Sequence, residues 1–232
     1  MEFPNQLKMA LASQSVAVDR EPVNPLSRDS ESRIEELKRW SGSENSGVAI
    51  SYFFRQYALF VSAQFHLLTY QNGYFECAGE DLTFNRIHNY GFNLLETHVP
   101  SAHFKNVETN ERFSAFHYIL HEQIAKLIDE FRSHVKISPL ILWDNVLGSV
   151  IWFYANLEQR DPRRAAADLE WLMDAANWSP MRKSHLARLL GDASLGQAVS
   201  RPLRKTCCLY KELPHFDTCT FCPQPMSWEK VF

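Results

Sequence analysis

From Ser46 onward, Ile50, Phe53, Tyr57, Val61, Phe65 and Leu68 recur at intervals of three and four, which predicts one long helix packed along a broad side. A second periodic stretch, "NERFSAFHYILHEQIAKLIDEFRSH", sets Phe113, Phe116, Leu120, Ile124, Leu127 or Ile128 and Phe131 on one face and predicts an amphipathic helix. A third, "LWDNVLGSVIWFYANLEQR", is apolar nearly all round and predicts a buried helix, with Asp144 as its N-cap and its end before Asp161-Pro162. Pro162 then opens a further helix at its first position, where the missing N–H costs nothing; Ser179-Pro180 repeats the device and Gly191 closes that helix.

Polar punctuation separates these runs. Residues 1 to about 30 are polar and proline-bearing and predict loop, followed by a short helix over "SRIEELKRW" with Ser32 as its cap. Asn72-Gly73 between aromatic flanks predicts a β-hairpin, because both residues tolerate positive φ, and "FNLLETHV" predicts a strand. The expected fold class is therefore α+β: a mainly helical domain with a small antiparallel hairpin or sheet, and a C-terminal lobe set apart by its cysteines. The division expected is an N-terminal extension over 1–45, a helical core over 46–199 and a cysteine-bearing segment over 200–232.

Composition limits what that fold can be. The chain has 232 residues, 45% hydrophobic and 22% charged, with 16 Phe and 6 Trp, which is ample for a core without covalent staples. A formal net charge of -3 and a pI near 6.3 argue against bulk nucleic-acid affinity. The stretch "SGVAISYFFRQYALFVSAQFHLLTY" carries Arg55, Gln56 and Gln64, and "VLGSVIWFYANL" falls short of the roughly 20 residues of a spanning helix, so both predict buried helices. The first 22 residues lack a basic region followed by an uninterrupted apolar run, which predicts a cytoplasmic protein; peripheral contact with the inner face of the cell membrane is compatible with this.

Four of the five cysteines fall within sixteen residues of "RKTCCLYKELPHFDTCTFC", as C-C-x10-C-x2-C at Cys207, Cys208, Cys219 and Cys222. Grouped thiolates suit zinc or an iron-sulfur cluster, and a cytoplasmic setting disfavours a disulfide staple. Two adjacent cysteines fit a single tetrahedral zinc awkwardly, whereas a [2Fe-2S] centre offers outward positions on two irons; the spacing leaves both metals open. His117 and His121, four apart on one predicted helix face, lack an evident third ligand and read as a packed or surface pair. Cys77 reads as a small buried hydrophobe, and Trp143, Trp152, Tyr154, Trp171 and Trp178 as core, with the alternative that one of these rings borders a substrate cleft.

The cysteine segment resembles the C-terminal signature of the siderophore-iron reductase family, the FhuF-like ferric reductases, with the Lys-Thr before the pair and Leu213-Pro214 after it also matching. A looser resemblance extends over residues 50 to 222 and includes "LILWDNVLGSVIWFY". The resemblance implies one [2Fe-2S] cluster per chain on Cys207, Cys208, Cys219 and Cys222, and an oxidoreductase that passes one electron to siderophore-bound Fe(III). It implies a ferric siderophore as substrate and a reduced ferredoxin or flavodoxin-like carrier as donor, since no Rossmann fingerprint is visible. Residues 200–232 hold five cations against three carboxylates, and Arg201, Arg204 and Lys205 are expected to dock an anionic complex. Two other readings accompany it: a zinc-knotted binding protein, and a [2Fe-2S] redox sensor or scaffold without an iron substrate.

Overall fold

The computed structural model describes residues 3–89, 91–200, 204–214, 216, 222 and 223. Two long helices organise them. Helix α3 (Ser46–Tyr70) is capped by Asn45, whose side chain accepts from the Gly47 and Val48 amides, and α6 (Pro139–Arg160) starts at Pro139 after Ser138. They run side by side in the same direction, with Ser51 meeting Asn145 at one end and the rings of Phe65 and Tyr154 5.9 Å apart further along. Ile50, Phe53, Tyr57, Val61, Phe65 and Leu68 are all buried, so the apolar period does mark the packed side of α3.

Asp144 does not cap α6. It lies more than a turn inside the helix and is fully buried, and its carboxylate is held by Arg188 and by the Thr206 amide and hydroxyl (3.1 and 2.6 Å). Downstream, α7 (Pro162–Met173) begins as predicted, with Asp161 accepting from the Arg164 amide. Pro180 opens no helix: the next, α8 (His185–Leu190), is capped by Ser184 and closed by Gly191, and α9 (Leu195–Ser200) follows.

The amphipathic stretch forms α4 (Arg112–Tyr118) and α5 (Lys126–His134), joined through a π-helical turn over Ile119–Ala125. The N-terminal region is more regular than its polarity predicts. It contains α1 (Asn5–Ala12), strand β1 (Val16–Val18) and α2 (Ser30–Ser41), whose N-cap is Asp29 rather than Ser32.

Asn72-Gly73 does not turn a hairpin. Asn72 has positive φ (46°), but β2 (Gly73–Phe75) pairs antiparallel with the distant β5 (Phe104–Asn106), Gly73 opposite Asn106. Gly73 is there for closeness, since a Cβ would come within 2.9 Å of the Lys105 carbonyl oxygen. The true hairpin joins β3 (Thr83–Asn89) to β4 (Phe92–Val99), Asn89 opposite Phe92, and β1 adds to β4 in parallel, Val16 opposite Thr97.

The fold is thus mainly helical with one three-stranded and one two-stranded sheet, which corrects the α+β class with an iron-sulfur lobe. The lobe fails on its contents: among the described residues no three His, Cys, Asp or Glu side chains come together where a metal could be held. What is described of the cysteine segment is instead laced to the helix pair. Cys208 and Tyr210 belong to the core, the Cys208 carbonyl accepts from Ser51 Oγ (2.7 Å), and the Tyr210 ring packs on Tyr52 (5.2 Å).

Helix α6 is the one described helix long and apolar enough to cross a membrane, and 61% of its most apolar window is buried within the protein.

Candidate functional site

The adjacent cysteines differ in burial. Leu209, in the left-handed region at φ +61°, donates its amide to Cys207 Sγ (3.4 Å), while the Cys208 side chain is packed inside the core at 2% exposure. Cys207 is half-buried, and burial, with Cys222 and Cys208 nearby, raises its thiol above the usual range despite the Leu209 amide. Cys222 is also half-buried and is a free thiol; Cys219 and Arg201 lie outside the described residues.

No metal-holding group of three is formed by these cysteines among the described residues, and this overturns what rested on one. The [2Fe-2S] cofactor, the ferric-siderophore reductase, the oxidoreductase assignment and the zinc-knotted and iron-sulfur sensor alternatives are corrected together. The physical reason is that sequence spacing reports how far apart thiols lie along the chain, whereas ligation needs three or more donor side chains to converge, which none do among the described residues, where Cys208 is buried in the core.

A different arrangement is built around the same segment. Arg204, 7% exposed, donates from Nη1 to Asn145 Oδ1 (2.6 Å), and Asn145 in turn donates to the Ser51 carbonyl (2.9 Å) and hydroxyl (2.8 Å). Gly148, one turn along α6, lies beside the guanidinium: a Cβ there would be 3.9 Å from Arg204 Nη2, an ordinary van der Waals contact. Arg55, on α3, stretches over the Tyr210 ring, 5.2 Å from its centroid, a cation–π contact that orients the side chain. Burial raises the Tyr210 hydroxyl pKa well above the usual range, so Tyr210 stays a neutral phenol.

Between these groups lies a cavity of about 360 Å³, within the range of small-molecule sites. Arg55, Arg204, Gln56 and Asn145 supply its polar wall; Leu59, Ile151, Leu189 and Trp152 supply the apolar one. No aspartate or glutamate lines it, and Arg55 makes no ion pair among the described residues.

No protein-family model matches the chain, and no curated protein matches it.

The remaining predicted positions fall elsewhere. Arg204 lines the cavity, whereas Lys205 is exposed and outside its lining, with Nζ beside Gly191. His117 and His121 stack with ring centroids 4.1 Å apart; burial first, then His117, holds His121 below the usual histidine range, and His117 Nε2 meets the Ser179 carbonyl (3.1 Å). Cys77 is fully buried, and burial pushes its thiol far up, as expected of an inert core cysteine. Of the five aromatic residues read as core, Trp143, Tyr154 and Trp178 are buried and Trp171 half-buried, but Trp152 is 46% exposed at the cavity. Arg55 and Gln56 entered the sequence reading only as polar interruptions of an apolar helix and Asn145 not at all; a cation within an otherwise apolar helix was the available signal for Arg55 as a site residue.

Proposed function

We propose that this chain is a binding protein for a small organic carboxylate with an apolar body. The observation that carries the reading is Arg55, which makes no ion pair among the described residues and lines, together with Arg204 and with aliphatic and aromatic side chains, a cavity with no carboxylate among its described lining residues. Guanidinium recognises carboxylate through paired N–H donors, and both are already oriented, Arg55 by Tyr210 and Arg204 by Asn145. Pre-orientation lowers the entropy lost on binding. The resemblance of the C-terminal segment to the siderophore-iron reductase family supports placing a ligand site on the side of the helix pair where that segment docks, and the expectation that Arg204 meets an anion agrees with it.

Dodecanoate below its micelle-forming concentration is a suitable probe, titrated by calorimetry and by the fluorescence of Trp152. Saturable one-to-one binding is expected, weakened about tenfold or more in R55Q, which removes one charge-assisted contact. Absence of saturable binding, or equal affinity in R55Q, overturns the reading.

A further inference from the structure

Beyond Trp152 a second cavity of about 550 Å³ continues along the same two helices. Leu59, Ser149 and Trp152 line both cavities, so the two adjoin along the helix pair. The far cavity is lined by Phe153 and Tyr70, with His66 and Arg160 as its ionisable groups and no aspartate or glutamate among the described residues. Arg160 is exposed and makes no ion pair among the described residues. His66 stacks on Tyr70 (4.6 Å) beside Phe153 (6.2 Å); burial, followed by the Arg160 charge, holds its pKa below the usual range.

The adjoining cavities therefore carry a cation at each end and apolar side chains between. Because α3 and α6 run in the same direction, the order of groups is the same on both helices: Arg55 and Asn145 at the near end, Leu59 and Trp152 in the middle, His66 and Arg160 at the far end. From position 55 to position 66 the helix axis advances about 16 Å, at about 1.5 Å per residue. An extended chain of about twelve carbons, with bonds of about 1.5 Å in a zigzag, spans about 14 Å.

We propose that the ligand is a linear dicarboxylate of about a dozen carbons, held at one end by Arg55 and Arg204 and at the other by Arg160 with His66, its methylene chain lying across Leu59 and Trp152. This deepens the carboxylate-binding reading and depends on it. A monocarboxylate of equal length occupies the near cavity and the floor but leaves Arg160 unengaged. A short diacid cannot reach both ends.

The two ideas separate in one series of titrations on the full chain, with dodecanoate, dodecanedioate and hexanedioate against the wild type and R160Q. Dodecanedioate should bind about tenfold more tightly than dodecanoate, one added charge-assisted contact. Hexanedioate should show no such gain, and R160Q should reduce dodecanedioate to the level of dodecanoate. The thermal midpoint of R160Q serves as the folding control. If dodecanoate itself fails to bind, the carboxylate site is wrong and the dicarboxylate falls with it. If dodecanoate binds but the diacid is no tighter, or keeps its advantage in R160Q, the far anchor is refuted and the near site stands.

Discussion

In the interior around α3 and α6, Asp144 and Asp168 are buried to 0% and 1% exposure and each faces a guanidinium, Arg188 and Arg112 respectively. On the outer face of the same helices, Arg55 and Arg160 border cavities with no carboxylate among their described lining residues. Arg112 shows how thorough the interior is: it reaches both Asp168 oxygens (2.7 and 2.5 Å), the Leu68 carbonyl (2.6 Å) and Thr69 Oγ1 (3.1 Å), while Tyr154 donates to Asp168 as well (3.1 Å). Asp144 and Asp168 are matched because an unmatched buried charge would cost several kcal/mol; half-buried Arg55 and exposed Arg160 are less bound by that constraint.

The contrast can be broken most forcefully at Asp168. D168A strands Arg112 in the interior and is expected to cost about 3–5 kcal/mol, read as a lowered midpoint in urea unfolding. An effect below about 1 kcal/mol would show that the pair is dispensable.

D144A comes next. It removes the acceptor of Arg188 and of both Thr206 groups, with an expected loss of about 2–4 kcal/mol. Because Thr206, beside the Arg204–Asn145 bond, ties the cysteine segment to α6, amide exchange over 204–213 should accelerate more than exchange in α3. Uniform acceleration would mean that Asp144 stabilises the whole fold rather than the docking of that segment.

A smaller effect concerns pH. His185 stacks on Trp143 with centroids 4.7 Å apart, and burial, then Arg188, lowers its pKa to about 4. The unfolded chain therefore binds the extra proton first as pH falls. Stability from this group is complete above the unfolded value of about 6.5 and is lost on descending to about 4; with His185 only partly buried, the loss is about 1–2 kcal/mol. H185F keeps a ring against Trp143 and should flatten unfolding free energy against pH across that window.

The least effect is expected outside. R160Q should shift unfolding free energy by less than about 0.5 kcal/mol, since no ion pair is lost. A larger shift would show that this cation is structural after all and would erase the distinction between the two faces.

Much of the scaffold was legible from the chain. The 3.6-residue period found α3 and the α4–α5 stretch because one side of each is buried, and Asp161-Pro162 found the start of α7 because cap chemistry is local. Asp144 misled for the same local reason. An acidic residue ahead of an apolar run looks like a cap, and only Arg188 and Thr206, far along the chain, make its burial tolerable. Residues 1–30 looked like loop because β1 gains its partner from β4, some eighty positions away. Of Asn72-Gly73, read as a turn pair tolerant of positive φ, only Asn72 adopts it, and the pair turns no hairpin, since local turn chemistry does not choose the pairing partner. The cysteine spacing overreached most: a line of letters cannot show that Cys208 turns inward.

The node formed by Ser51, Asn145, Arg204 and Cys208 joins three stretches of chain widely separated in order: Ser51 grips the Cys208 carbonyl across 157 positions and receives Asn145 across 94. A ribosome releases these stretches one after another, so α3 and α6 emerge well before the segment that closes the cavity beside them. Arg204 and Tyr210, two of the cavity's walls, arrive last. The cavity is accordingly completed only after both helices of the pair have been made, and a chain cut short ahead of residue 204 carries α3 and α6 without Arg204 and Tyr210.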